Sequence, residues 1–454
     1  MPSLIDPSLR DKMPAWANAS PDLLSSLARK AYEETLKTPP LNSPNPHDFL
    51  LTHGNRLDSI HIDGPNIYRE FMECLAKARY SVDISFFKFD PESLASRLIG
   101  HGIKMAAQVI KHRPLVVRMI IDDWKYDLNR AIDNLYDAVK SWNIPVVEFD
   151  DLGLPIPVPF KNITFQLATY PHANLGILHE KFIIVDCRTL LLTGANPERV
   201  HDLPSPWRDT GYVLSGPVAL TAAAWFDEAW HHHAKHWECK KRTLKKDCQA
   251  TQHSTKQRIW PAGEIFPKGE TSLMLAGRAS RASLIGNNES PQTATWRAIM
   301  ANATTEIRII SPNIDCTPFE ELVVQAVQRG VKVKVLTSKG FNDTWPDQIL
   351  RPNSDVLVNI RQKLQALSSE AINNFEARWF SQDGHSPVVG NGNGASHTKF
   401  LSADHAVAVI GSGNMDFMSW ANAREFNLLF DNISDVNRLD NTIFLPDWNR
   451  AINA

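Results

Sequence analysis

Apolar and polar positions run in the same order through two halves of the chain. Ala78–Phe87 and Ala303–Ile310 each read as a strand, and each ends near an acid, Asp90 or Asp315. A helical stretch follows, about Pro91–Lys111 in one half and Pro318–Arg329 in the other. A second aliphatic run then begins, Leu115–Ile121 or Val331–Leu336. Strand–helix–strand units imply parallel pairing within α/β sheets. Further on, Phe182–Val185 is a short apolar run of the kind found in buried strands. A turn at Cys187–Thr189 and a strand at Leu190–Leu192 follow it. Val407–Ile410 and the small residues Gly411–Gly413 repeat that arrangement. The predicted fold is α/β: two similar lobes from an internal duplication, each a mixed β-sheet flanked by helices. The lobes are expected at 59–237 and 297–454, with a helical extension at 1–58 and a connector at 238–296.

Outside the repeats the pattern is plainer. Ser20-Pro21-Asp22 is a helix start, and Leu23, Leu24, Leu27 and Ala31 give that helix an apolar side, expected to pack on the first lobe. Ala219–Trp237 reads as an amphipathic helix carrying His232 and His236 one turn apart, with Cys239 beyond. That spacing could suit zinc, but a helix face is the simpler reading. Lys240, Lys241, Arg242, Lys245 and Lys246 form a basic cluster in the connector, read as a solvated surface. Gly153–Phe160 is apolar and proline-rich, so it is a rigid loop or the lining of an acyl-chain entrance. The segment from Gly384 to Gly394 leads into His397 and reads as a mobile loop.

The chemistry lies in a second repeat. His179-x-Lys181-x4-Asp186 recurs as His397-x-Lys399-x4-Asp404, and each histidine is followed 17 residues later by an asparagine, Asn196 or Asn414. In an extended chain His-x-Lys places both side chains on one face. Gly194 allows close backbone approach to a ligand. Thr193 and Ala195 stand where the second copy has Gly411 and Gly413, so the first turn is the more crowded. A phosphodiester needs its oxygens neutralised, its phosphorus attacked and its departing oxygen protonated. Lys181 and Lys399 supply charge, and Asn196 and Asn414 supply neutral donors, each such donor being worth roughly 10²–10³ in rate. Two imidazoles on opposite sides of phosphorus can divide nucleophilic and acid–base work.

This paired motif resembles the signature of the phospholipase D superfamily, over about Ser59 to Phe430. The resemblance implies a two-lobed fold with the active site at the lobe interface, no cofactor or metal, and a covalent phosphohistidine. It implies His179 as nucleophile and His397 as general acid. It also implies an acidic partner behind each histidine, and Asp209 and Glu425 stand 30 and 28 residues after His179 and His397. Such a carboxylate fixes the imidazole tautomer. Asp186 and Asp404 are expected to anchor their motifs rather than touch substrate.

Composition narrows the partners. A formal charge of −2 over 454 residues disfavours a protein whose affinity comes from neutralising many phosphates. Five scattered cysteines without a Cys-x-x-Cys pair point to a reducing compartment. Met1–Asp6 lacks a secretory pattern, and no apolar run approaches the roughly 20 residues of a membrane span. The expectation is therefore a cytoplasmic protein, functional as a monomer, that meets phospholipid peripherally at a membrane surface. The leading reading is a phospholipase D-type phosphodiesterase that hydrolyses or transphosphatidylates glycerophospholipids. The competing readings are a metal-independent nuclease and a non-catalytic lipid-binding relative.

Overall fold

The computed structural model describes residues 20–38, 50–122, 162–170, 176–202, 204–239, 248–251, 269–280, 289–341 and 351–454, with a few isolated positions. Gly153–Phe160 and the basic cluster at Lys240–Lys246 lie outside the described residues. Helix α1 (Ser26–Leu36) is followed by β1 (Leu51–Ile62), α2 (Gly64–Ala76), β2 (Ser81–Phe86), α3 (Leu94–Val109), β3 (Leu115–Asp122) and β4 (Ile163–Tyr170). Next come β5 (Phe182–Val185), β6 (Thr189–Thr193), β7 (Thr210–Ser215), α4 (Val218–His232), β8 (Lys235–Cys239) and β9 (Cys248–Thr251). The second half runs through β10 (Thr271–Leu275), α5 (Pro291–Asn302), β11 (Glu306–Ser311), α6 (Thr317–Gln328), β12 (Lys332–Thr337), α7 (Asn353–Leu367) and β13 (Phe375–Trp379). Its remaining strands are β14 (Phe400–Ala403), β15 (Val407–Gly411), β16 (Asn427–Asp431) and β17 (Ile452–Asn453).

The duplication is visible strand by strand. One sheet has the order β1-β7-β6-β5-β2-β3-β4-β8-β9, with β2, β3 and β4 parallel. The other has the order β1-β10-β16-β15-β14-β11-β12-β13-β17, with β11, β12 and β13 parallel. Strand β1 enters both: Leu51–Asn55 pair with β10, and Arg56–Ile62 pair with β7 across register shifts. Strand β10 lies within 238–296, so that stretch adds a strand to the second sheet besides linking the halves.

Alternation along each strand sorts its side chains. Val82, Ile84 and Phe86 of β2 join α2 and α3 in one apolar cluster. Asp83 and Ser85 turn the other way, toward Arg118 and Glu180, as a period of two requires. Both motif hairpins turn identically. Asp186 and Cys187 have φ 53°, and Asp404 and His405 have φ 52° and 53°. Aspartate tolerates this left-handed region better than most residues. Each carboxylate also receives three backbone N–H groups, from Arg79–Ser81 onto Asp186 and from Thr304–Glu306 onto Asp404. The motif acids therefore tie each hairpin to the start of the neighbouring strand.

Two expectations are corrected. Helix α1 packs on α5 of the second half, not on the first lobe: Thr35 meets Thr295, Lys30 Nζ donates to Asn302, and Ser25 N donates to Asp431. Its start is also interrupted. Ser20 caps a single 3₁₀ turn at Pro21–Leu23, and Ser25 caps the helix proper. The predicted helix 219–237 ends at His232, and the chain turns into β8, which contains His236. His232 and His236 thus do not share a helix face. Nor is α4 amphipathic, because every residue from Val218 to Trp230 is buried. Trp225, Phe226 and Trp230 sit in the large apolar cluster that also holds Phe426 of the second half. The two buried acids of α4 are paired with arginines, Asp227 with Arg118 and Arg258 and Glu228 with Arg424, so the helix can lie in the interior.

Candidate active site

His179 and His397 lie just before β5 and β14, and the backbone there is bonded across the halves. His179 N donates to Arg424 O at 2.9 Å, and Arg424 N returns to Ile177 O at 2.7 Å. The second set mirrors it: His397 N donates to Arg208 O, and Arg208 N to Ala395 O, both at 2.8 Å. Each His-x-Lys segment is therefore stitched to the acid-bearing segment of the other half.

The carboxylates pair in the same crossed sense. Glu425 faces His179 Nδ1 at 2.9 and 3.1 Å, and Asp209 faces His397 Nδ1 at 2.7 Å. The within-copy offsets of 30 and 28 residues suggested the opposite partners. Sheet spacing explains why they cannot meet. His179 leads into β5 and Asp209 into β7, with β6 between them. Two strand spacings amount to about 9–10 Å, beyond hydrogen-bond reach, so each lobe offers its acid to the other lobe's imidazole. Nδ1 of both rings is committed to a carboxylate, which leaves Nε2 as the nitrogen available to a ligand.

The other motif residues converge on the same place. Lys181 and Lys399 are buried, and each ammonium donates to the carbonyl of the histidine two residues earlier. Asn196 Nδ2 donates to Glu198 at 3.0 Å, and Asn414 Nδ2 donates to Asp416 at 2.9 Å. Asn414 Oδ1 is buried with no protein partner among the described residues. Aromatic rings flank both imidazoles: Phe87 lies 5.2 Å from His179, and Trp207 and Phe341 lie 5.1 and 5.8 Å from His397. The lead-in to His397 is pinned rather than loose. Trp207 Nε1 donates to Gly392 O, and Gly394 N donates to Ser205 O, both at 2.9 Å.

Burial sets the electrostatics. It lowers Lys181 to about 8 and Lys399 to about 7. It lowers His179 as well, with Glu425 pulling the other way. His397 is pushed well below the usual imidazole range by burial, then by Lys399, Lys181 and His179. Its partner Asp209 is raised by burial, against the pull of Lys399. Burial also acts to raise Glu425, but His179 and Lys181 outweigh it and hold the carboxylate at about 2. The two pairs therefore differ in direction: Glu425 is held low by its cationic neighbours, whereas burial raises Asp209.

Several residues escaped the sequence reading. Arg424 is wholly buried and reaches Glu180 at 3.1 Å, Glu228 at 2.6 Å and Trp225 O at 2.7 Å, with its guanidinium 4.1 Å from the Trp225 ring centre. Arg208 makes the corresponding tie to Asp447 at 3.0 and 3.1 Å. Ser412 and Ser419 donate to Glu425. The available signal was the arginine directly before each acid, in Arg208-Asp209 and Arg424-Glu425. His201 was also missed. It is buried within 6.3 Å of the His397 ring centre, and burial lowers it to about 3. Its ring, Asp209 and His397 form the one cluster of three potential metal ligands among the described residues.

Fold and site together define a duplicated α/β protein of the phosphodiesterase type, in which each half presents a His, Lys and Asn set to a shared centre. Residues 297–448 match the family model described as cardiolipin synthase, phospholipase D-like domain. The chain is similar to a phospholipase D from Streptomyces antibioticus, at 20% identity over 84% of this chain and 76% of that protein. Its fold resembles the crystal structure of phosphatidylserine synthase from Haemophilus influenzae Rd KW20, with TM-score 0.58 and 11% identity, covering 92% of this chain and 91% of the other. The phospholipase D-like family model thus covers the second half of the chain, and the chain as a whole is similar to phospholipase D-type proteins. Among the described residues no helix is long and apolar enough to cross a membrane.

Proposed function

We propose that this protein cleaves the phosphodiester of glycerophospholipids by a phospholipase D-type double displacement, passing the phosphatidyl group to water or to an alcohol. The observation that supports this reading is the crossed pair of Nδ1–carboxylate contacts, which leaves Nε2 of an imidazole from each half free of its carboxylate. Lys181, Lys399, Asn196 and Asn414 hold the non-bridging oxygens. Nε2 of His179 attacks phosphorus while the bond to the head-group oxygen breaks. The His397–Asp209 pair supplies the proton that the departing alkoxide takes up. Water or an alcohol then enters on the same side, returns a proton to that pair and displaces the His179 nitrogen. Burial first, and the two ammonium charges after it, lower both imidazoles; a bound anion offsets those charges, so the pair gains proton affinity once substrate is present. The expected place of action is a membrane surface, reached peripherally.

The test offers purified protein, without added metal, phosphatidylcholine, phosphatidylglycerol and single-stranded DNA. Phosphatidic acid release that disappears in both His179→Ala and His397→Ala supports the reading. DNA cleavage without lipid cleavage replaces it with a nuclease.

A further inference from the structure

We propose that His201, Asp209 and His397 form an inhibitory site for a divalent transition ion such as Zn²⁺. The ligand atoms of the three side chains lie within 4.8 Å of one another, and all three residues are buried. They include two imidazoles and a carboxylate, the donor types zinc takes at about 2.0–2.2 Å.

His201 is the independent observation. It sits on the one-turn 3₁₀ helix Arg199–His201, with no exposed surface, and neither ring nitrogen has a hydrogen-bond partner among the described residues. Buried polar groups are rarely left this way. The chain also makes room for it: a Cβ at Gly64 would lie 2.6 Å from His201 Cβ, so only glycine allows this approach. The hydrogen bonding of the two active-centre histidines leaves this third ring unused, although it faces the same carboxylate.

An ion here would take the place of the proton between His397 Nδ1 and Asp209 Oδ2, now 2.7 Å apart. Ligands of a tetrahedral ion stand roughly 3.3–3.5 Å apart on bonds of that length. The pair must therefore open slightly and His201 must advance by about an ångström. One proton leaves on binding, and His397 loses the group that orients it. The binding rests on geometry alone; the inhibition rests also on the proposed role of His397.

Equilibrium dialysis with Zn²⁺, and visible absorption with Co²⁺, should detect one saturable ion in the whole chain with a tetrahedral Co²⁺ spectrum. His201→Asn should weaken that ion by about 10²-fold while leaving thermal unfolding of the ion-free protein and basal cleavage unchanged. Zn²⁺ should inhibit cleavage of a soluble phosphodiester in the wild type, and His201→Asn should need about 10²-fold more. Unchanged ion binding in His201→Asn overturns the site. Binding lost in that variant, with wild-type cleavage indifferent to saturating Zn²⁺, overturns the inhibition. If no preparation cleaves any diester, the proposed function fails, and the dialysis and Co²⁺ spectrum still decide the ion site.

Discussion

Glu425→Gln tests the crossed support of the two imidazoles. When His179 Nε2 bonds to phosphorus the ring gains a positive charge, and the nearest anion is Glu425, with its oxygens 2.9 and 3.1 Å from Nδ1. Two unit charges about 4 Å apart attract by about 4 kcal/mol at an effective dielectric near 20. A neutral amide retains a hydrogen bond worth about 0.5–1.5 kcal/mol. The net loss is then about 2.5–3.5 kcal/mol, or roughly 10²–10³ in the rate of forming the covalent intermediate. The fold should tolerate the change, because the hydroxyls of Ser412 and Ser419 that donate to the carboxylate can turn to accept from an amide. Removing the anion also lowers His179 further. Since the attacking ring must be neutral, the acid limb of kcat/KM should move to lower pH.

The assay is single-turnover labelling with a diester that carries ³²P and a nitrophenolate leaving group, quenched in alkaline detergent. Such a leaving group needs no general acid, so labelling reads the attack alone. Crossed pairing makes Glu425→Gln behave like His179→Ala, with labelling slowed or absent. It makes Asp209→Asn behave like His397→Ala, forming the intermediate and releasing it slowly. If Glu425→Gln instead forms and accumulates label as His397→Ala does, the cross-lobe assignment is wrong.

Three further outcomes follow from the same geometry. A Cβ at residue 194 would stand 2.2 Å from Asp209 Oδ1, so Gly194→Ala should displace that carboxylate and reproduce the Asp209→Asn turnover defect; wild-type turnover would contradict it. Arg424→Met strands Glu180 and Glu228 without their buried cation, at a cost of about 3–5 kcal/mol in denaturant unfolding, and adding Glu180→Gln should restore part of it; a loss below about 1 kcal/mol would show that the pair is not a lock. Lys399 titrates at about 7 and Lys181 at about 8, so their charge, and with it kcat/KM on an anionic diester, should fall as pH rises through that range. Lys399→Arg should extend the basic side, and a profile flat to pH 10 would exclude either ammonium as an oxyanion ligand.

Local spacing carried most of the architecture. The runs at Ser81–Phe86, Leu115–Asp122 and Glu306–Ser311 form parallel strands because their apolar residues alternate or continue as sheet interiors require. The repeated His-x-Lys-x4-Asp motif placed the hairpins, since an aspartate in the left-handed turn can be stabilised by the backbone N–H groups it caps. Elements decided by packing between halves were not readable in this way. Helix α1 has an apolar side that suits either lobe, and only the presence of α5 beside it selects the second. His232 and His236 fit a helical period, yet α4 stops at His232 and the chain turns back into β8, which holds His236.

The crossed acids show the same principle at the centre of the site. A sequence offset reports distance along one copy, whereas a hydrogen bond needs proximity in space. Within a sheet, His179, Asn196 and Asp209 occupy the ends of three successive strands, β5, β6 and β7. Such a row can present three groups to one ligand, but it cannot close a bond between its first and last members. A second copy facing the first completes both pairs. The arginines beside the acids then fix how the copies meet, Arg424 on Glu180 and Glu228, and Arg208 on Asp447. A single half of this chain therefore holds an imidazole without its carboxylate. Duplication is what makes each histidine usable, and separating the lobes should silence both together.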